Sequence, residues 1–280
     1  MLTEEQPLFI RALRIDRTQI APDSYLRNIP ALAELDELCF RKPVTFLTGE
    51  NGSGKSTLLE AAAVAYGFNP EGGTRNYSFS TYDSHSELYR AVQLVKGYEH
   101  PKWGYFLRAE SFYNVATAEE EYGKLANSGP EYYHRCSHGE SFLRLVQRNF
   151  TGGGIYLLDE PEAALSPQRQ LTLLIEIARC VREHAQFIIA THSPILLGLP
   201  DADILSMDGA LHPCTYEETE SYQITKLFLG SRGQILRQLG ILWGEGTAWT
   251  SCFISRITGS GITGRWQWLP ERRSFRHLPR

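Results

Sequence analysis

The chain has 280 residues, a formal net charge of −4 and 42% hydrophobic residues, which suits one large α/β domain or one domain with an appendage. No apolar run is long enough to cross a bilayer and no basic start precedes an apolar segment, so a cytoplasmic globular protein without a membrane segment is expected. The five cysteines are scattered without a C-x-x-C pair, so neither a disulfide framework nor a zinc site is indicated.

The first part of the chain predicts two strands and a helix around a glycine-rich loop. Residues 8–15 alternate apolar and basic side chains, as in a strand with one face in solvent. An amphipathic stretch at 32–38 precedes a short apolar strand at 44–48. After the loop, an alanine-rich helix is predicted over about 56–66, with Gly67 as the left-handed residue that ends it.

The middle of the chain is less regular. The capping-box pattern Ser84-x-x-Glu87 predicts a helix with Leu88, Ala91, Val92 and Val95 on one face. A strand is expected within 103–113, and the polar segment 117–136 reads as a loop or irregular helix. A further helix begins at Ser137 and ends before three glycines at 152–154.

The remaining elements alternate between strand and helix. Strands are predicted at 155–158 and 186–190, separated by a helix that begins at Ser166-Pro167. A hairpin over 204–214 turns at Asp208-Gly209, and a last helix is expected over 217–229. This alternation predicts an α/β fold with a mainly parallel, doubly wound sheet.

One segment carries a specific chemical signal. Residues 49–56 read GENGSGKS and match the G-x-x-x-x-G-K-[ST] phosphate-binding loop, placed between a buried strand and a helix. Its glycines let backbone N–H groups turn towards phosphate oxygens, Lys55 would reach the β- and γ-phosphates, and Ser56 would bind magnesium. The alternative is a glycine turn that only caps a helix, which the combined strand, spacing and Lys-Ser pair disfavour.

Two acidic residues follow the buried strand at 155–158. Asp159 would hold magnesium and Glu160 would orient and deprotonate the attacking water, because ligands bind at strand ends in such sheets. A solvated acidic turn is the alternative, and the P-loop about a hundred residues upstream argues against it.

Two further segments admit both structural and functional interpretations. Residues 137–140, SHGE, form an ordinary capping box, and the same helix N-terminus with Gly139 can bind an anion such as the γ-phosphate held by a second subunit. His192 follows the strand at 186–190 and is either a structural histidine or a sensor of the γ-phosphate.

The ordered set GENGSGKST, SHGE, YLLDEPEAALSP and IIATHSP resembles the ABC-type P-loop ATPases, specifically the small stand-alone predicted bacterial ATPases of the AAA family. The resemblance covers about residues 8–230. It implies a Walker A motif at 49–57, a signature turn at 137–140, a Walker B motif at 155–160, a D-loop near 164–166 and His192 as the switch histidine. In that family two subunits pair head to tail and close over two ATP molecules.

The predicted site therefore has three sets of residues, with ATP and Mg²⁺ as cofactors. The nucleotide-binding residues are Gly49, Asn51, Gly52, Ser53, Gly54, Lys55, Ser56, Thr57, Ser137 and Gly139. The catalytic residues are Glu160, His192 and Lys55, and the metal ligands are Ser56 and Asp159.

Several departures from the transporter pattern favour the soluble repair and defence branch. The signature L-S-G-G-Q is replaced by residues 136–140, CSHGE, and the D-loop aspartate by Ser166. Glu110 is the candidate for the Q-loop position, and no adenine-stacking tyrosine is evident. Fewer than a hundred residues separate Thr57 from Ile155, without sustained heptads, so long coiled-coil arms are excluded.

The predicted division is an ATPase domain at 1–239, with an N-terminal antiparallel element and a compact helical subdomain at about 80–150, followed by a tail at 240–280. Four of the five tryptophans and no lysine fall in 241–280. Interleaved Trp and Arg can bind nucleic acid or a partner, although the lack of periodicity favours a disordered or aberrant terminus.

The function expected from the sequence is an ATP-binding and ATP-hydrolysing homodimer switched by nucleotide. Two alternatives stay open, namely the ATP-binding subunit of an ABC transporter and an ATP-gated module that grips DNA or an effector protein. The sequence does not identify the partner or the cargo.

Overall fold

The computed structural model describes residues 8–74, 86–110, 112 and 138–241. The chain divides into two compact units, Met1–Thr225 and Lys226–Arg280. All of the strands and the predicted site residues that the structure describes belong to the first unit, so the architecture below is that of this unit.

The described strands are β1 Ile10–Ile15, β2 Glu37–Cys39, β3 Val44–Thr48, β4 Val92–Lys96, β5 Trp103–Arg108, β6 Gly154–Asp159, β7 Gln186–Ala190, β8 Asp203–Ser206 and β9 His212–Pro213. The described α-helices are α1 Pro30–Ala33, α2 Lys55–Tyr66, α3 Leu88–Ala91, α4 His138–Asn149, α5 Pro167–Arg182 and α6 Glu220–Gln238. Helix α6 continues into the second unit and departs from helical dihedral angles at Ser231.

The main sheet has six strands in the order β5-β6-β7-β3-β8-β9. Every neighbouring pair from β5 to β8 is parallel, and only β9 pairs antiparallel, with β8. Strands β3, β6 and β7 are buried along their whole length, as expected for strands covered on both faces. The predicted α/β class with a mainly parallel sheet is confirmed.

Two hydrophobic cores lie on opposite faces of this sheet. One contains the apolar residues of α2 together with those of β1, and it includes Leu58 and Leu157. The other contains the buried faces of α4 and α5, and it includes Phe142, Leu173 and Leu158. Alternate residues of β6 thus enter different cores, which is the doubly wound arrangement that the alternation of elements predicts.

A second sheet, in the order β2-β1-β4, is antiparallel and packs on the α2 side. It confirms the predicted N-terminal antiparallel element, but the helix predicted to continue through Val95 is wrong. The apolar spacing of residues 88–95 predicts a helix, whereas α3 ends at Ala91 and residues 92–96 form β4. Pairing with β1 decides the outcome, because this tertiary contact outweighs a short helical pattern that a β-branched valine already weakens.

Helix and hairpin boundaries follow the local signals elsewhere. Gly67 has φ 105° and ends α2, and its N–H bonds to Ala63 and Val64 carbonyls. Ser166 occupies the N-cap position before α5, although its side chain makes no capping hydrogen bond. The hairpin of β8 and β9 turns at Asp208-Gly209 as predicted.

Residues 80–85, 111 and 113–137 of the predicted helical subdomain at about 80–150 lie outside the described residues. Of its described parts, β4 and β5 belong to the two sheets and α4 is helical. The tail from 242 onwards also lies outside the described residues. Among the helices that the structure describes, none is both long and apolar enough to span a membrane.

Candidate nucleotide site

The site lies where the parallel strands end. The carboxyl ends of β5, β6, β7, β3 and β8 share one edge of the sheet, because these strands are neighbours and run in the same direction. Arg108 ends β5 and Asp159 ends β6, while His192 lies two residues beyond β7. The P-loop follows β3 and Asp208 lies two residues beyond β8. Strand order therefore gathers residues that are far apart in sequence.

The P-loop has the backbone conformation that its glycines predict. Gly52 and Gly54 have φ 85° and φ 97°, in the left-handed region that favours glycine. At Gly54 a Cβ would also lie 2.8 Å from the Ile29 side chain, so close packing excludes a larger residue. Asn51 and Gly52 are exposed, and the buried Ser53 hydroxyl has no hydrogen-bond partner among the described residues.

Lys55 begins α2 and is 3% exposed. Its Nζ donates to the carbonyl oxygens of Gly49 and Glu50 at 2.8 and 2.9 Å. Burial lowers the pKa of Lys55, and the nearby carboxylates, with Glu160 first and Asp208 second, oppose that shift. The ammonium is thus held against the P-loop by groups that a phosphate can replace.

The metal-binding pair predicted from sequence is assembled. The Ser56 hydroxyl donates to Asp159 Oδ1 at 2.9 Å, and Asp159 is 6% exposed. Burial raises the pKa of Asp159 to about 6, against the opposing effects of Arg108 and of the Ser56 hydrogen bond. A hydroxyl and a carboxylate are hard oxygen ligands, and Mg²⁺ needs only one or two such protein ligands when phosphate and water complete its shell. This pair fits the ion.

Arg108 links this pair to the P-loop helix. Its Nη1 donates to Glu60 Oε2 at 2.6 Å, and its Nε lies 3.5 Å from Asp159 Oδ2. The three side chains are 19%, 10% and 7% exposed, so the ion pairs are largely withdrawn from solvent. The second Glu60 oxygen accepts from the Ser86 N–H at 3.1 Å.

Glu160 and His192 face each other across the ends of β6 and β7. Glu160 Oε1 lies 3.8 Å from His192 Nε2, too far for a hydrogen bond. Glu160 has φ 48° and ψ 49°, a left-handed conformation that costs a non-glycine residue about 1 kcal/mol or more. Its N–H bonds to the Ala190 carbonyl at 2.9 Å, which fixes the strained residue to β7.

His192 is held through its backbone, because its N–H donates to Glu162 Oε1 at 2.6 Å. Its buried Nε2 has no hydrogen-bond partner among the described residues. Burial, aided by Lys55, lowers the pKa of His192, so the ring is neutral at neutral pH. A neutral ring that carries its proton on Nε2 can donate to a phosphate oxygen, and in the other tautomer Nε2 can accept from a water molecule.

A cavity of about 750 Å³ opens in front of these groups. Its lining is the start of the P-loop, the ends of β6, β7 and β8, and the first turns of α6, namely Thr48, Gly49, Glu50, Asn51, Glu160, Glu162, His192, Asp208, Glu220, Ser221 and Ile224. Burial, followed by the charges of Glu50 and Asp208, raises the pKa of Glu220. The lining of the cavity is thus rich in carboxylates.

The signature turn is only partly described. Ser137 and the His138 side chain lie outside the described residues, and Gly139 is buried within the first turn of α4. A Cβ on Gly139 would lie 2.8 Å from the Ala164 carbonyl oxygen of the same chain, so this helix start packs on the turn that follows Glu160. Gly139 does not line the cavity of its own chain, whereas Glu160 and His192 do.

Sequence reasoning missed Arg108, Glu60 and Asp208. Their signal was weak, although Arg108 and Asp208 both lie at strand ends on the predicted ligand edge. Glu110, the candidate for the Q-loop position, has a side chain that is 86% exposed and lies 3.8 Å from Arg108. The described residues contain no cluster of three or more His, Cys, Asp or Glu side chains suited to a metal.

Two family models match consecutive parts of the chain. Residues 25–125 match an AAA domain, and residues 141–198 match an AAA domain named for the candidate AbiEii toxin of type IV toxin–antitoxin systems. A search of curated proteins finds no match to this chain.

Solved structures with a similar fold have low identity. A candidate metal-chelate-type ABC transporter in an inward-facing conformation is 17% identical over 78% of this chain and 89% of that chain, with a TM-score of 0.43. The SMC head domain from Thermotoga maritima is 14% identical over 74% and 99%, with a TM-score of 0.41. CbiO1 from Clostridium perfringens, part of the ABC transporter complex CbiONQ, is 16% identical over 84% and 100%, with a TM-score of 0.43.

The matched segments contain the chemistry described above. The first includes the P-loop at 49–56, and the second includes Asp159, Glu160 and His192. The main sheet is mostly parallel, and its ligand edge joins these two segments. Both segments that form the ligand edge are therefore similar to AAA domains.

Proposed function

We propose that this chain binds Mg·ATP at the edge of its parallel sheet and hydrolyses it in a dimer that nucleotide binding closes. The 2.9 Å hydrogen bond from Ser56 to Asp159 carries the proposal, because it brings together a P-loop hydroxyl and a strand-end carboxylate that would serve as ligands of Mg²⁺. The AAA-domain matches support ATP binding and hydrolysis in general.

The P-loop binds the phosphate chain through its backbone. Its N–H groups and the N-terminus of α2 provide donors and a positive dipole end. Lys55 exchanges the carbonyl oxygens of Gly49 and Glu50 for phosphate oxygens, so its buried charge remains compensated in both states. Ser56 and Asp159 would hold Mg²⁺, which would neutralise charge on the phosphates.

Glu160 acts as the base for the attacking water. Glu160 lines the same cavity as the start of the P-loop, and its strained backbone is fixed by the bond to Ala190. The neutral His192 contacts the terminal phosphate through its unpartnered Nε2. The 3.8 Å between the two side chains lets each of them contact a different ligand group.

Two copies form the complete site. In this dimer, Ser137 and Gly139 of one copy lie over the P-loop of the other copy and bind its nucleotide. Supporting this arrangement, Gly139 packs against the turn after Glu160 of its own chain and leaves the front of the cavity uncovered. The start of α4 is thereby mechanically linked to the catalytic strand end.

ATP turnover at several protein concentrations tests both parts of the proposal. Glu160→Gln should lower turnover roughly 10²- to 10⁴-fold while ATP binding is retained, because only the proton transfer is lost. Glu183→Gln, which removes a carboxylate after α5 and outside the cavity, is the matched control and should leave turnover unchanged. Full activity in Glu160→Gln would show that the base is assigned wrongly.

Specific activity should rise with protein concentration, because each site needs a second copy. Activity that is independent of concentration would contradict the dimer while leaving ATP hydrolysis intact. Adding duplex DNA separates the partner classes, since a DNA-bound state should stimulate turnover with a steep salt dependence.

A further inference from the structure

The hairpin of β8 and β9 contacts the P-loop through one carboxylate. Asp208 Oδ1 accepts a hydrogen bond of 2.6 Å from the Glu50 N–H, at the second position of the loop. The Ser206 hydroxyl accepts from the Asp208 N–H at 3.2 Å, and it lies 3.4 Å from Asp208 Oδ2. The end of β8 thus fixes the orientation of this carboxylate.

The contact depends on the first glycine of the P-loop. A Cβ on Gly49 would lie only 2.8 Å from Asp208 Oδ1, and Gly49 has φ 141°. Only a residue without a side chain lets the carboxylate approach the backbone this closely. Gly49 therefore serves the Asp208 contact as well as the curvature of the loop.

Asp208 also makes the mouth of the site more negative. Burial raises the pKa of Glu220, and the charges of Glu50 and Asp208 add to this shift. Lys55 and His192 both interact electrostatically with Asp208. Lys55 contacts the Gly49 and Glu50 carbonyls, and Asp208 binds the Glu50 N–H. A terminal phosphate bound by Lys55 would therefore lie near the Asp208 carboxylate.

We propose that Asp208 is a positioning residue that orders the first turn of the P-loop and sets nucleotide specificity by opposing the terminal phosphate of a triphosphate. The inference rests on the proposed ATP site. A diphosphate lacks the phosphate nearest to the loop start, so the repulsion weakens ATP more than ADP. The Asp208 carboxylate thus lowers the ratio of the affinity for ATP to the affinity for ADP.

Nucleotide titrations of wild type, Asp208→Asn and Asp208→Ala test this role, with Mg²⁺ and either a non-hydrolysable ATP analogue or ADP. Asparagine keeps an oxygen for the Glu50 N–H but removes the charge. We expect about three- to tenfold tighter binding of the ATP analogue to Asp208→Asn and less than about a twofold change for ADP, since the side chain is partly screened by solvent. Raising the ionic strength to about 1 M should shrink the effect, because the Debye length falls to about 3 Å.

Asp201→Asn is the matched control. It makes the same charge change before the other end of β8, and asparagine tolerates the φ of 58° at this position. Binding of the analogue should be unchanged in this variant. Asp208→Ala also removes the hydrogen bond, so its gain for the analogue should be smaller than that of Asp208→Asn.

An unchanged or weakened affinity for the analogue in Asp208→Asn would overturn the inference, and so would an equal gain for both nucleotides. Each of these results leaves the proposed function intact, because nucleotide binding itself would have been observed. Absence of binding in wild type and in every variant would instead overturn the proposed function and the inference with it.

Discussion

Replacing Arg108 by methionine should destabilise the protein by about 3 kcal/mol. Breaking a buried ion pair from one side costs about 3–5 kcal/mol, because the partner charge remains buried without compensation. Arg108 serves two carboxylates, Glu60 at 2.6 Å and Asp159 at 3.5 Å. The lower end of the range applies because Arg108 is 19% exposed and each carboxylate keeps another hydrogen bond, from Ser86 or Ser56.

Urea and thermal unfolding without Mg²⁺ measure this cost. For a protein of this size about 3 kcal/mol corresponds to a fall in Tm of about 6–12 °C. Arg144→Met removes an exposed pair with Glu140, with side chains 56% and 45% exposed, and should cost no more than about 0.5 kcal/mol. Arg108→Lys keeps the charge but loses the planar fork, so its loss should be intermediate.

The cost of Arg108→Met should also depend on pH. Arg108 lowers the pKa of Asp159, so its removal raises that pKa further above the present value of about 6. Protonation then relieves the uncompensated charge, and the cost at about pH 5 should be smaller than at about pH 8. A loss no larger than that of Arg144→Met, or one that grows as the pH falls, would refute the reasoning.

Two other substitutions test the packing and the charge of the sheet. Gln186→Leu should lower the free energy of unfolding in urea by about 3 kcal/mol. The buried Gln186 amide accepts from the Phe9 and Ile10 N–H groups and donates to the Ile10 carbonyl, and leucine leaves all three groups without a partner. A loss below about 1 kcal/mol would contradict this. Asp159→Asn should stabilise the Mg²⁺-free protein by about 2 kcal/mol at about pH 8, and the gain should vanish at about pH 4. The folded pKa of about 6 exceeds the ordinary aspartate pKa of 3.8, so stability from this group is present at low pH and is lost as the pH rises through 6. A pH-independent gain would exclude this origin.

The sequence predicted the site where chemistry and local structure coincide. The P-loop spacing, the apolar run before Asp159 and the strand before His192 each fix a residue at the end of a buried strand. Because parallel strands end at one edge, these predictions needed no knowledge of strand order.

Contacts between strands needed knowledge that the sequence did not provide. The bridge from Arg108 to Glu60 and Asp159 depends on β5 lying next to β6, and the contact of Asp208 with the P-loop depends on β8 lying next to β3. The helix predicted across Val92 failed for the same reason. A partner strand from β1 decided between two local conformations of similar energy.

Charges alternate along the ligand edge. Arg108 lies beside Asp159, and Lys55 lies between Asp159 on one side and Asp208 on the other. Oxygen atoms of the protein itself therefore partner Lys55 and Arg108, and a nucleotide must replace partners of Lys55 rather than occupy a purely positive pocket. Neutralising a carboxylate at this edge should raise either the affinity for anions or the stability of the protein without nucleotide. Removing a cation should lower both. This pairing of carboxylates with cations follows from strand order. The order that gathers the predicted catalytic groups also brings opposite charges close enough to interact electrostatically.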